Sequence, residues 1–152
     1  MTQKRWAYED MVEGMVLDLG SRVITADEII EFASEFDNQP MHLDEQAGRE
    51  SLLGGLAASG WHSCAIYMRM LCDAMISDST AQGAPGVDFV KWRRPVLAGD
   101  RLSGRCTVVS RRLSQSRPGL GLVLARHEMS NQHGDVVLEM QNTVMMLTRR
   151  DR

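Results

Sequence analysis

The sequence predicts an α+β fold in which a curved antiparallel sheet wraps around one long central helix. Three observations lead there. A helical segment from Leu56 to Ile76 carries Arg69 and Asp73 as its only formal charges and is otherwise apolar or small nearly all the way round. Such a helix needs burial on most sides. The C-terminal half holds three long strand patterns separated by turn residues, enough to supply the wrapping. The length, 152 residues, suits one domain spanning 1–152 with a sizeable core.

Taken in order, Met15 to Leu19 reads as a short strand. Thr25, Ala26, Asp27 and Glu28 form a capping box, with Thr25 at the N-cap and Glu28 at N3. Ile29, Phe32, Ala33 and Phe36 then give the apolar face of a helix ending near Phe36. Pro40 lacks an N–H and holds Gln39 extended, so the helix cannot run on, and 37–43 is expected to be irregular. Asp44 is placed to cap a second short helix, Glu45 to Glu50, followed by a loop over Ser51 to Gly55. Beyond the apolar helix, Gly86 to Arg94 reads as a strand, and Pro95 and Gly99-Asp100 break the chain. Arg101 to Leu113, Leu120 to Ser130 and Asp135 to Thr148 are the long strands. Leu120, Leu122 and Leu124 share one face of theirs; Val136, Leu138, Met140, Val144 and Met146 share one face of the last. RPG (117–119) and NQHG (131–134) are hairpin turns. A meander of this kind around a single helix is the hotdog fold. Its curved sheet leaves an edge strand that needs pairing, so a homodimer or a dimer of dimers is expected.

Composition narrows the function. The net charge of −3 argues against nucleic acid as a partner. Seven basic residues nevertheless fall between Lys91 and Arg112, which is either a solvated strand surface or a landing site for a phosphorylated ligand. Cys64, Cys72 and Cys106 are odd in number and lack a CxxC spacing, as expected of reduced thiols in a cytoplasmic protein. The N-terminal stretch has no apolar core of a signal peptide, and no run is long enough for a membrane span.

The chemistry concentrates in FDNQPMHLD, 36–44. Asp37 and His42 stand five apart, and neither a helix nor a strand points such a pair at one spot. An irregular, proline-stiffened bend does. A carboxylate and an imidazole converging there can hold a water and move its proton. The alternative is an ordinary helix exit, with Asp37 bonded to backbone and His42 on the surface. Ser59 and Gly60 lie near the start of the apolar helix, whose first N–H groups have no internal partner. A glycine there admits a carbonyl oxygen. It would equally make room for a neighbouring strand, with Ser59 as a cap.

The stretch F-A-S-E-F-D-N-Q-P-M-H-L-D, 32–44, resembles the hydratase-2 motif of MaoC-like dehydratases and (R)-specific enoyl-CoA hydratases, roughly aromatic-x-S-G-D-x-N-P-x-H-x-D. The motif's Asp falls on Asp37, its Pro on Pro40, its His on His42 and its last acid on Asp44. Gly60 sits eighteen residues beyond His42, at the offset of the family's thioester-binding glycine. W-R-R-P-V-L-A-G-D, 92–100, resembles the family's R-P-V-x-x-G-D segment. Two positions depart: the motif's Asn is Gln39, and its Gly is Phe36, which either narrows the pocket or packs on the central helix.

The resemblance implies a catalytic set of Asp37, His42 and Gly60 that adds water to a trans-2-enoyl thioester to give an (R)-3-hydroxyacyl thioester, or reverses that reaction. Gly60 N–H would hold the thioester oxygen. Gln39, Ser59, Trp61, Arg93 and Arg94 are the accompanying candidates for substrate binding, the arginines for phosphates. The substrate would ride on coenzyme A or acyl carrier protein; no metal and no separate cofactor is implied. A hotdog thioesterase, releasing free thiol, and a non-catalytic acyl-thioester-binding or partner subunit are the competing readings.

Overall fold

A computed structural model describes residues 2–149. Residue 1 and residues 150–152 of the expected domain lie outside them. The described residues include four α-helices: α1 (Ala26–Phe36), α2 (Pro40–Leu43), α3 (Glu45–Glu50) and α4 (Gly60–Ala74). Six strands form one antiparallel sheet: β1 (Val16–Val23), β2 (Ala81–Gly83), β3 (Phe89–Trp92), β4 (Arg101–Leu113), β5 (Leu120–Ser130) and β6 (Val136–Leu147). Their order is β1-β4-β5-β6-β2, with β3 also paired to β6. The curved sheet closes over α4, which is the hotdog arrangement.

Local chemistry explains most element ends. The Thr25 hydroxyl accepts from Glu28 N–H (3.2 Å) while the Glu28 carboxylate accepts from Thr25 N–H (3.0 Å), closing the capping box of α1. Asp44 caps α3 by accepting from Ala47 N–H at 2.9 Å. Gly119 and Gly134 close the β4–β5 and β5–β6 turns at φ 78°, in the left-handed region where a side chain is strained. The first strand runs on to Val23 through an irregularity between Asp18 and Ser21. The strand expected over 86–94 is shorter, Phe89–Trp92. The edge strand β2 has no counterpart in the sequence reading; three residues carry too little pattern to announce it.

Three expectations need correction. The bend is not wholly irregular: Pro40 opens a one-turn helix, α2, at the N1 position where its missing N–H is no loss. The apolar helix begins at Gly60, not Leu56, because 56–58 is drawn into extended pairing: Ala58 N–H donates to Val96 O (2.8 Å) and Ala98 N–H to Leu56 O (3.0 Å). That helix is also not buried all round. Ile66, Tyr67, Met70 and Leu71 face the sheet and His62 stacks on Phe32 of α1 at 4.5 Å, whereas Trp61, Ala65 and Met68 lie exposed on the opposite side. The core itself joins α4 to the concave face through Leu102, Cys106, Val108, Val123, Ala125, Met129 and Leu138.

The helix-facing set of β5 is therefore the odd one, Val123, Ala125, His127 and Met129, while Leu122 and Leu124 turn to the outer face half-buried. His127 is thereby drawn inside. Its ring lies between the Tyr67 hydroxyl (2.8 Å from Nδ1) and the Asn142 amide (2.7 Å from Nε2), and the Tyr67 hydroxyl donates to Arg105 O at 2.9 Å. This network ties α4 to β4, β5 and β6 through a few directional bonds within an otherwise apolar interface. No helix among the described residues is long and apolar enough to cross a membrane.

Candidate active site

Asp37 is the C-cap of α1, and His42 lies in the single turn of α2. The sharp exit between them brings Asp37 Oδ2 to 3.5 Å from His42 Nε2. The carboxylate is held from both ends. Ser59 Oγ–H donates to Oδ2 at 2.6 Å and Gln39 Nε2 to Oδ1 at 2.6 Å. The Ser59 bond, then the Gln39 bond, hold the Asp37 carboxyl below the usual carboxylate range; partial burial opposes them and His42 assists. His42 is buried, and its Nδ1–H donates to Ala57 O at 2.7 Å. A carbonyl only accepts, so Nδ1 carries a proton, and Nε2 is the ring atom that faces Asp37.

The remaining wall comes from the start of α4. The 56–58 segment passes under His42, where Ala57 N–H donates to Met41 O (3.3 Å), and then delivers Ser59 and Gly60 beside the acid. The first internal bond of α4 runs from Ser63 N–H to Ser59 O. Gly60, Trp61 and His62 N–H thus have no acceptor among the described residues, and the Ser59 side chain does not cap them. Asp37, Gln39, His42, Gly60, Trp61 and Trp92 share a cleft of about 410 Å³. Met41, Leu53, Ala57 and Val96 give it an apolar side.

The structure thus brings Asp37, Gln39, His42, Ser59 and Gly60 together and alters the reading of several candidates. Ser59 is fully buried with its hydroxyl committed to Asp37, so it orients the acid and does not line the substrate space. Trp61 lines the cleft and is 61% exposed, a wall residue and not core. Arg93 and Arg94 reach the cleft rim, but each is paired: Arg93 with Glu139 at 2.7 Å and Arg94 with Asp135 at 3.8 Å. The Glu139 carboxyl is held below its ordinary range chiefly by Arg93. The basic run from Lys91 disperses further along the sheet, with Arg105 on Glu128 and Arg111 on Tyr8 O. A concentrated phosphate site is not formed by it. Phe36 neither narrows the cleft nor reaches α4; it is 68% exposed and rests on Phe32 at 5.2 Å.

Trp92 was not among the sequence candidates. It stands at the end of β3, its Nε1–H donates to Gly60 O at 2.9 Å, and its ring meets that of Trp61 edge-on at 5.1 Å. The available signal was the glycine itself, which marks a close approach without saying by what. Among the described residues no cluster of three or more His, Cys, Asp or Glu could hold a metal ion.

Comparison with known proteins is consistent with this geometry. The family model described as MaoC like domain matches residues 11–126. The crystal structure of the MaoC-like dehydratase from Rhodospirillum rubrum is 38% identical, covers 95% of this chain and 99% of its own, and superposes with a TM-score of 0.89. The unliganded R-hydratase PhaJ1 from Pseudomonas aeruginosa shares the fold, with a TM-score of 0.75 at 19% identity over 94% of this chain and 86% of that one. The uncharacterized protein YdeM of Bacillus subtilis is 25% identical over 116 residues, 76% of this chain and 82% of YdeM.

Proposed function

The chain belongs to the MaoC-like domain family, and on that premise we propose that it interconverts a trans-2-enoyl thioester and the (R)-3-hydroxyacyl thioester by adding or removing water. The observation that carries this reading is the facing pair, Asp37 Oδ2 and His42 Nε2 at 3.5 Å, beside the free amide of Gly60 in one cleft. The substrate is an acyl group on coenzyme A or acyl carrier protein.

In hydration, the thioester oxygen accepts from Gly60 N–H at the positive end of α4. This contact strengthens as the enolate charge develops, and losing such a donor costs about 3 kcal/mol of barrier lowering. A water lies between Asp37 and His42. As its oxygen bonds to C3, His42 Nε2 takes one of its protons, and C2 of the enolate gains a proton from the same face. The hydrogen-bond pattern favours His42 as the group that carries the proton both ways. Its Nδ1–H is fixed on Ala57 O, whereas both oxygens of Asp37 already accept strong bonds that keep it ionised. Asp37 then orients the water and stabilises the transient imidazolium. The route draws only on groups of this chain and water.

A cytoplasmic homodimer or dimer of dimers completes the proposal. The outward α4 residues Trp61 and Met68, with Trp92 on β3, form exposed apolar surface suited to a second copy. The test follows loss of conjugated enoyl absorbance over a panel of acyl chain lengths. Asp37→Asn and His42→Ala are each expected to lose about a hundredfold or more in kcat. Release of free thiol without loss of conjugation would favour a thioesterase; full rates in both variants would remove the site assignment.

A further inference from the structure

We infer that Trp92 is a positioning residue: its indole seats the first turn of α4 so that the Gly60 amide faces the cleft, and this contact is the reason residue 60 is glycine. Two independent features meet at the indole. A Cβ built on Gly60 would stand 2.8 Å from both Cδ2 and Nε1 of Trp92 and closer still to Cε2, so any side chain at 60 collides with the ring. The ring cannot simply swing aside, because Nε1–H is bonded to Gly60 O at 2.9 Å and Trp61 packs edge-on against it at 5.1 Å.

The consequence concerns orientation. Gly60 O belongs to the peptide that carries Trp61 N–H, the second free donor of the helix. A bond to that carbonyl fixes the tilt of the first turn, where no side chain caps the helix. It also links α4 to β3, whose next residues, Arg93 and Arg94, form the cleft rim. The sequence left two readings of Gly60, room for a ligand oxygen or for a neighbouring strand. The Trp92 indole of β3 occupies the space a side chain would take, so the glycine serves the wall of the site and only the amide serves the ligand.

The catalytic part of this inference rests on the hydration reading; the contact itself does not. The experiment is a four-corner cycle of wild type, Gly60→Ala, Trp92→Ala and the double variant, with Trp92→Phe as the conservative change. Three quantities are read: Tm, the Kd for saturated butanoyl-CoA by calorimetry, and kcat and KM for the enoyl thioester. Trp92→Ala is expected to lower kcat about tenfold with KM changed less than about threefold, since it loosens a group that acts mainly at the transition state. Trp92→Phe, which keeps a ring but loses the N–H, should fall between wild type and Trp92→Ala. Gly60→Ala is expected to lose about a hundredfold in kcat, while the double variant is no worse than Trp92→Ala alone, since the collision is gone. A Gly60→Ala chain that unfolds while the double variant remains folded supports the contact equally. Losses that multiply in Tm, Kd and kcat, or a Trp92→Ala chain with wild-type kcat and Kd, would overturn the inference. A wild type that binds butanoyl-CoA with the expected coupling yet hydrates nothing would instead count against the reaction proposed above.

Discussion

Replacing Ser59 by alanine isolates the support of the acid from the acid itself. Ser59 is fully buried, and its hydroxyl makes a 2.6 Å bond to Asp37 Oδ2, the oxygen nearest His42. A hydrogen bond to an ionised carboxylate contributes about 2 kcal/mol. If all of it served to hold the reactive geometry, its loss would slow the reaction about thirtyfold. Two features reduce that. Gln39 still holds Oδ1, and the Asp37 side chain is 16% exposed, so water restores part of the lost solvation. The expected fall in kcat/KM is therefore nearer tenfold. The pH dependence gives a second readout. Ser59 is the largest of the influences that depress the Asp37 pKa, so its removal raises the pH at which the Asp37 carboxylate protonates, and the part of the acid limb that this protonation sets moves upward. The sign is that of any depressed carboxylate: the contribution is present above the ordinary pKa and disappears as pH falls through the folded value. The assay is kcat/KM against pH, followed by loss of enoyl absorbance. A variant with full activity and an unmoved acid limb would refute the reasoning.

Other outcomes follow from the interior. Tyr67→Phe should destabilise the fold by about 1–3 kcal/mol in urea unfolding, because it leaves His127 Nδ1 and Arg105 O without their buried hydroxyl partner. Burial holds His62 and His127 below the ordinary histidine pKa, so the unfolded chain takes up protons first. Stability should fall as pH drops below about 6.5 toward the folded values, by up to about 1.4 kcal/mol per pH unit for each ring. Urea midpoints that stay flat between about pH 7.5 and 5 would contradict this.

Relatives such as the Rhodospirillum rubrum dehydratase share the architecture almost end to end. Within this chain, what was readable in sequence was largely what is decided locally. Thr25 and Glu28 cap their own helix, Asp44 caps the next, and Gly119 and Gly134 turn the chain where the alternation breaks. The Asp37–His42 spacing pointed to a bend because no regular element satisfies it. The errors lie where pattern underdetermines space. Alternation shows which residues of β5 share a face but not which face is inside; Leu122 and Leu124 lie half-buried on the outer face while the polar His127 goes in. Helical composition could not show that 56–58 would be recruited into strand pairing with 96–98. Charge clustering in sequence did not survive folding, where Glu139, Asp135 and Glu128 each meet an arginine from a segment distant in sequence.

The sequence by itself determined that a proline-broken acid–imidazole segment precedes an apolar helix with glycine near its start, and that long strands follow to enclose that helix. These are matters of period, caps and backbone permission, settled within a few residues. Only the tertiary structure decided what those groups touch. Ser59 and Gln39 grip Asp37, Ala57 O fixes the proton of His42, and Trp92 arrives from another strand to occupy the space beside Gly60. Hydrogen bonds and steric contacts fall off within a few ångströms, so their partners exist only once distant segments are packed together.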